Sequence, residues 1–125
     1  MANPFCHMEL QTDDVDAARS FYSELFDWEV EQMPMGELTY TMMKPNVGDP
    51  QIMGGIMPKQ APEAPNHWLS YVAVDDVDAS LAKAKDLGGN VLVDKMEVPE
   101  NGWFGIVADP TGAVLGLWQA AEGGS

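Results

Sequence analysis

Asp13-Asp14-Val15-Asp16-Ala17 returns letter for letter as Asp75-Asp76-Val77-Asp78-Ala79 in a chain of 125 residues. Each copy closes an apolar, strand-like run and opens a helix-like one. An aspartate at such a junction supplies an N-cap, and its charge suits the positive end of a helix dipole. A helix start of this kind can recur by chance. The element order around the two copies also matches, so the pair marks two copies of one small unit.

Outward from the first copy, residues 4–12 alternate loosely and predict a strand. Val15, Ala18, Tyr22 and Leu25 fall at helical spacing and predict a helix over 14–26. Strands follow at 28–33, 38–44 and 51–57, separated by a turn at Met35-Gly36-Glu37 and a loop over 45–50. Pro58 to Asn66, with three prolines, is the one convincing linker. The cycle then repeats, with a strand at 67–74 and a helix capped by Asp76 that carries Val77, Leu81, Ala84 and Leu87. Gly88-Gly89 ends that helix, as glycines do at helix C-termini. Strands at 90–94, 103–108 and 113–119 complete the unit, with an Asp109-Pro110-Thr111-Gly112 turn between the last two. Each half reads strand, helix, three strands. The expected organisation is one α+β domain over 1–125: module 1 (4–57), linker (58–66), module 2 (67–119) and a frayed tail (120–125).

Composition narrows the function. The 20 acidic residues against 6 basic ones give a net charge of −14. Nucleic-acid binding depends on Lys and Arg neutralising phosphates, so nucleic acid is not an expected partner. Anionic membrane surfaces are disfavoured on the same ground. No apolar run approaches the roughly 18 residues that span a bilayer, and the N-terminus shows no secretory signal. The single cysteine, Cys6, excludes an intramolecular disulfide and a cysteine-cluster metal site. A reducing, cytoplasmic setting fits.

Two stretches carry a family resemblance. They are Asp14-Val15-Asp16-Ala17-Ala18-Arg19-Ser20-Phe21-Tyr22-Ser23-Glu24-Leu25-Phe26-Asp27-Trp28 and Asp109-Pro110-Thr111-Gly112-Ala113-Val114-Leu115-Gly116-Leu117-Trp118. With the paired βαβββ pattern, they make residues 4–119 resemble the vicinal oxygen chelate superfamily of glyoxalase I, bleomycin-resistance proteins and extradiol dioxygenases. The resemblance implies two modules whose sheets curl around a shared cleft, and often a homodimer. In metal-dependent members, four His or Glu ligands line that cleft, one on the first and one on the last strand of each module. The metal chelates two adjacent substrate oxygens and acts as a Lewis acid.

Carried over residue by residue, that ligand pattern mostly fails here. His7, seven residues before Asp14, occupies the first ligand position. Its counterpart seven before Asp76 is Leu69, and the two late positions hold Gly55 and Gly116. One of four positions carries a donor, so the usual divalent metal and any other cofactor are not expected. A displaced set of His7, Glu9 and His67 is the remaining metal candidate.

Strand periodicity then assigns the cleft face. If His7 faces it, so do Phe5, Glu9 and Gln11, with Cys6, Met8 and Leu10 turned to the helix. His67, Leu69 and Tyr71 share the face in module 2, and Met53 and Met57 lie opposite Trp118. Gln11, Met53, Met57, His67, Tyr71, Trp103 and Trp118 are the candidate ligand-binding residues, the tryptophans as stacking surfaces. His7 can serve as ligand, general base or hydrogen-bonded wall. Glu9 can pair with it for proton abstraction beside a carbonyl, or form a plain strand-face link. The expected function is metal-free binding of a small, partly apolar molecule in the cleft. The alternative is a glyoxalase-like lyase or isomerase using His7 and Glu9, with or without a displaced metal.

Overall fold

The computed structural model describes residues 3–35, 38–47, 52–59, 63–98 and 101–121. The expected turn at 36–37, the end of the 45–50 loop, the middle of the linker (60–62) and the tail from 122 lie outside the described residues. The elements are β1 (Phe5–Thr12), α1 (Val15–Leu25), β2 (Trp28–Met35), β3 (Leu38–Pro45) and β4 (Met53–Pro58), then β5 (His67–Ala73), α2 (Val77–Asp86), β6 (Asn90–Val98), β7 (Gly102–Ala108) and β8 (Val114–Ala120). The chain is α+β, built of two βαβββ modules. Contacts divide it into two compact units, His7–Leu69, and Met1–Cys6 together with Ser70–Ser125.

In the first unit the strands run β2-β3-β4-β1. β1 lies parallel to β4, with His7 beside Met53, Glu9 beside Gly55 and Gln11 beside Met57. β3 is antiparallel to both β2 and β4, and its Met42 sits opposite Gly55. One face packs on α1. Leu10, Met43 and Ile56 are buried there against Val15, Ala18 and Tyr22, each contributing about 1.5–3 kcal/mol through removal from water. Cys6 is half-buried, and burial raises the pKa of its thiol, which suits an inert side chain.

The second unit repeats the scheme as β5-β8-β7-β6. β5 is parallel to β8 through Tyr71 and Gly116. Val74, Val77, Leu81, Val107 and Leu117 form its core, and Gly105 brings β7 close under Leu81 and Val77. β6 runs to Val98, four residues beyond the expected strand, because its ladder with β7 continues through two register shifts.

Both repeated aspartates cap as the sequence implies. Asp14 accepts from the Ala17 amide at 3.0 Å and Asp76 from the Ala79 amide at 3.1 Å. Asp109 closes the late turn by accepting from the Thr111 hydroxyl at 2.6 Å and the Thr111 and Ala113 amides. These bonds, the Thr111 hydroxyl first, hold its pKa below the usual value. Two expected core positions are corrected. Leu25 is exposed at the end of α1, and Leu87 is an exposed C-cap because α2 stops at Asp86. Among the described residues, no helix is long and apolar enough to cross a membrane.

Candidate functional site

The sheet face opposite α1 gathers polar side chains. β1 sends Glu9 and Gln11 to that face, both nearly fully buried, with half-buried His7 beside them. Burying a carboxylate is costly unless donors surround it. Glu9 has such donors. Gln11 donates to its Oε1 at 3.0 Å, and the Tyr40 hydroxyl donates to its Oε2 at 3.0 Å. The same hydroxyl lies 2.7 Å from His7 Nε2.

The tyrosine's single proton goes to Glu9, so in the second contact its oxygen accepts and His7 Nε2–H donates. Burial pushes the His7 pKa down to about 4, so the ring is neutral at pH 7. The result is an ordered chain, imidazole to phenol to carboxylate, with the carboxamide at the far oxygen. A neutral imidazole beside a carboxylate can hold a polar ligand or accept a proton.

Tyr40 reaches this position because residue 55 is glycine. A Cβ on Gly55 would collide with the phenol oxygen and ring. The second module shows a parallel arrangement, since a Cβ on Gly116 would collide with the Tyr71 ring. At both late positions, where metal-dependent members of the family resembled above carry a carboxylate, a tyrosine ring fills the space. Leu69, at the fourth position, is buried and offers no donor atom. Three of the four positions therefore do not fit a divalent cation. Among the described residues, no three His, Cys, Asp or Glu side chains are grouped to hold one.

The sequence-derived candidates separate accordingly. His7, Glu9 and Gln11 come together, and Met53 and Met57 flank them on β4 by register. Met53 also borders an apolar cavity of about 200 Å3 with Met8, Trp28, Met43 and Trp68. His67 does not join the cluster: its Nδ1–H donates to the Pro65 carbonyl at 2.8 Å and ties the strand to the end of the linker. The displaced set of His7, Glu9 and His67 therefore does not form. In the second unit, buried Tyr71 meets the Phe104 ring edge-on at a centroid distance of 6.4 Å. Phe104 is the ladder partner of Trp118.

Trp103 is a correction to the expected set. It is one residue from Phe104 and therefore on the other face, packed against the α2 core with Lys95 above its ring. Tyr40 and Phe104 were both missed. Alternation along β3 places Tyr40 on the face of Met42, but only the register of β3 against Gly55 shows that its ring reaches the polar cluster.

Comparison with known proteins follows the same lines. The Glyoxalase/Bleomycin resistance protein/Dioxygenase superfamily profile matches residues 5–117. The putative glyoxylase CFP32 of Mycobacterium tuberculosis is 40% identical over 116 residues, covering 90% of this chain and 44% of that protein. The anthracycline biosynthesis protein DnrV of Streptomyces peucetius is 28% identical over 126 residues, covering 89% and 45%. The chain thus spans about half the length of these curated relatives. A methylmalonyl-CoA epimerase, solved with methylmalonyl-CoA and NH4+, superposes with a TM-score of 0.69 at 20% identity, covering 95% of each chain. That likeness concerns the fold.

Proposed function

The chain belongs to the Glyoxalase/Bleomycin resistance protein/Dioxygenase superfamily, and from that premise we propose that it binds a small, partly apolar molecule without the family's usual divalent metal. The ligand would meet His7, Tyr40, Glu9 and Gln11, with Met53 and Met57 beside them. The observation that carries this reading is the Tyr40 hydroxyl seated over Gly55. A phenol hydrogen-bonded to His7 and Glu9 takes up the volume in which a metal-binding carboxylate would project. Leu69 and Gly116 supply no donor either. The test is elemental analysis of protein purified without chelators. Substoichiometric Zn, Ni, Fe and Mn are expected. One metal per chain, lost in His7→Ala, would overturn the metal-free reading. Ligand-induced melting shifts are expected within a panel of small aromatics and aldehydes, and their complete absence would count against binding.

A second reading, a glyoxalase-like lyase or isomerase, is favoured by one feature: a buried carboxylate linked to a neutral imidazole through one hydroxyl. Such a group can remove a proton next to a carbonyl. Deuterium uptake from solvent at the carbon beside the carbonyl of α-hydroxyaldehydes, lost in Glu9→Gln, would support it. Uptake no faster than in buffer would remove it. A homodimer is proposed as the working assembly, checked by light scattering against the 13.6 kDa chain mass.

A further inference from the structure

We propose that the sheet face behind the polar cluster carries a second site, an apolar cavity beside the C-terminal end of α1 that takes an uncharged, single-ring aromatic molecule. It uses none of the cluster's four side chains and goes beyond the binding reading above.

Strand alternation separates the two sites. Met8, Gly54 and Met43 are ladder partners across β1, β4 and β3. They share the α1 face, one residue out of phase with Glu9, Gly55 and Met42. Pro45 follows Met43 on that face, and its ladder partner is Trp28, which packs on the α1 core. With Ile52 and Trp68 these residues line a cavity of about 200 Å3.

The cavity exists because of Gly54. Gly55, Gly105 and Gly116 each have the space of their missing side chain taken by a neighbour's: Tyr40, Leu81 and Tyr71. At Gly54 the nearest atoms are the Met43 carbonyl oxygen at 3.5 Å, the Met43 Cβ at 3.7 Å and the Met8 carbonyl oxygen at 3.7 Å. Among the described residues, no side-chain end is seated over it. Protein interiors hold few voids larger than a water molecule, so room of this size beside a core is unusual.

The walls name the ligand. Tyr22 stacks on Trp28 at a centroid distance of 6.2 Å and meets Trp68 edge-on at 5.4 Å. Its hydroxyl accepts from Trp68 Nε1 at 3.3 Å, so one helix residue orients both indoles. Aromatic walls favour an aromatic guest, and the Met43 thioether adapts to one. Among the described residues no charged side chain lines the cavity, and an ion there would lose its hydration unpaired. A cavity of about 150 Å3 admits benzene, so the larger space here suits one ring with a small substituent. Trp68 and Ile52 are exposed at 38% and 39% and form the rim.

The probe is fluorobenzene, followed by fluorine NMR with the full chain. Saturable binding at one site per chain is expected, with contacts from the bound ring to the Met43 methyl and the Trp28 and Trp68 indoles. Its charged counterparts, para-fluorobenzoate and para-fluorobenzylamine, should bind about tenfold or more weakly. Gly54→Leu places a side chain in the cavity and should abolish saturation, with folding checked by circular dichroism. Where that variant does not fold, Trp68→Ala serves. It removes one wall at an exposed position and should weaken binding by about fivefold or more.

No saturable binding of fluorobenzene overturns the site. Contacts to Tyr40 and Met57 instead, or binding unchanged in Gly54→Leu (in Trp68→Ala where that variant serves), overturn it too and leave the reading of the polar cluster standing. Charged probes binding as tightly as fluorobenzene overturn the ligand class.

Discussion

Replacing Gly55 by alanine adds one methyl group, and its cost should depend almost wholly on Tyr40. The Gly55 backbone is outside the left-handed region, so an alanine is conformationally acceptable and only space is at issue. The new Cβ would collide with the phenol ring and oxygen, so Tyr40 must leave. Overpacking of this kind costs about 1–3 kcal/mol. Displacing Tyr40 also breaks its hydrogen bonds to His7 and to buried Glu9, which places the expected loss at about 3 kcal/mol. Tyr40→Ala alone should cost about 3–5 kcal/mol, by analogy with other large-to-small changes.

The informative variant is the double one. Once Tyr40 is gone, nothing opposes the methyl group at position 55. Gly55→Ala/Tyr40→Ala should then be no less stable than Tyr40→Ala, a coupling of about 2–3 kcal/mol between the two sites. Urea denaturation of the four proteins measures it. Gly54→Ala is the control. Its Cβ meets only ordinary contacts, the nearest at 3.5 Å, and it should stay within about 0.5 kcal/mol of the parent. Additive costs for Gly55→Ala and Tyr40→Ala would refute the steric pairing of the two residues, and with it the account of why no carboxylate stands at position 55.

The same logic applies to Gly116→Ala, whose Cβ would strike the Tyr71 ring. It should lose about 1–3 kcal/mol to overpacking, and Tyr71→Ala should absorb that loss in a double-mutant cycle. For His7 the folded pKa of about 4 lies below the ordinary 6.5. The folded state thus disfavours the proton, and the neutral ring's stabilisation is complete above pH 6.5. It is lost as pH falls toward 4, by roughly 3 kcal/mol at most. Denaturation midpoints at pH 7 and pH 4.5 should therefore converge in His7→Gln relative to the parent, and identical pH slopes in the two proteins would refute the shift. Thr41 is fully buried and its hydroxyl has no hydrogen-bond partner among the described residues. Thr41→Val should raise stability by about 1 kcal/mol, and a lower denaturation midpoint would contradict that.

The repeat made most of the fold legible, because capping and alternation act locally. Asp14 and Asp76 do what an aspartate before an apolar helix should, and the phase of β1 correctly separated His7, Glu9 and Gln11 from Met8 and Leu10. Ends set by tertiary contacts were less legible. β6 continues to Val98 because β7 pairs with it, although residues 95–98 carry no strong strand pattern of their own. In the site, β1 could be read from its own alternation, but Tyr40 could not. Its role depends on the register between β3 and β4, which no local pattern encodes. Trp103 failed for a related reason. A one-residue step along a strand changes the face, and composition alone cannot choose between Trp103 and Phe104.

The two helices began as copies of one another, but they are not held alike. α2 buries Val77 and Leu81 and ends with Lys83 and Lys85 in its last turn, where positive charge complements the dipole. α1 has no fully buried residue and no basic residue in its last turn, and Phe21, Leu25 and Phe26 stand exposed along it. Local opening should cost least where burial is thinnest. The half of the chain that carries the ordered polar cluster is thus also the half whose covering helix breathes more readily. Amide exchange would begin at α1, while α2 would release its protons only as its own core comes apart.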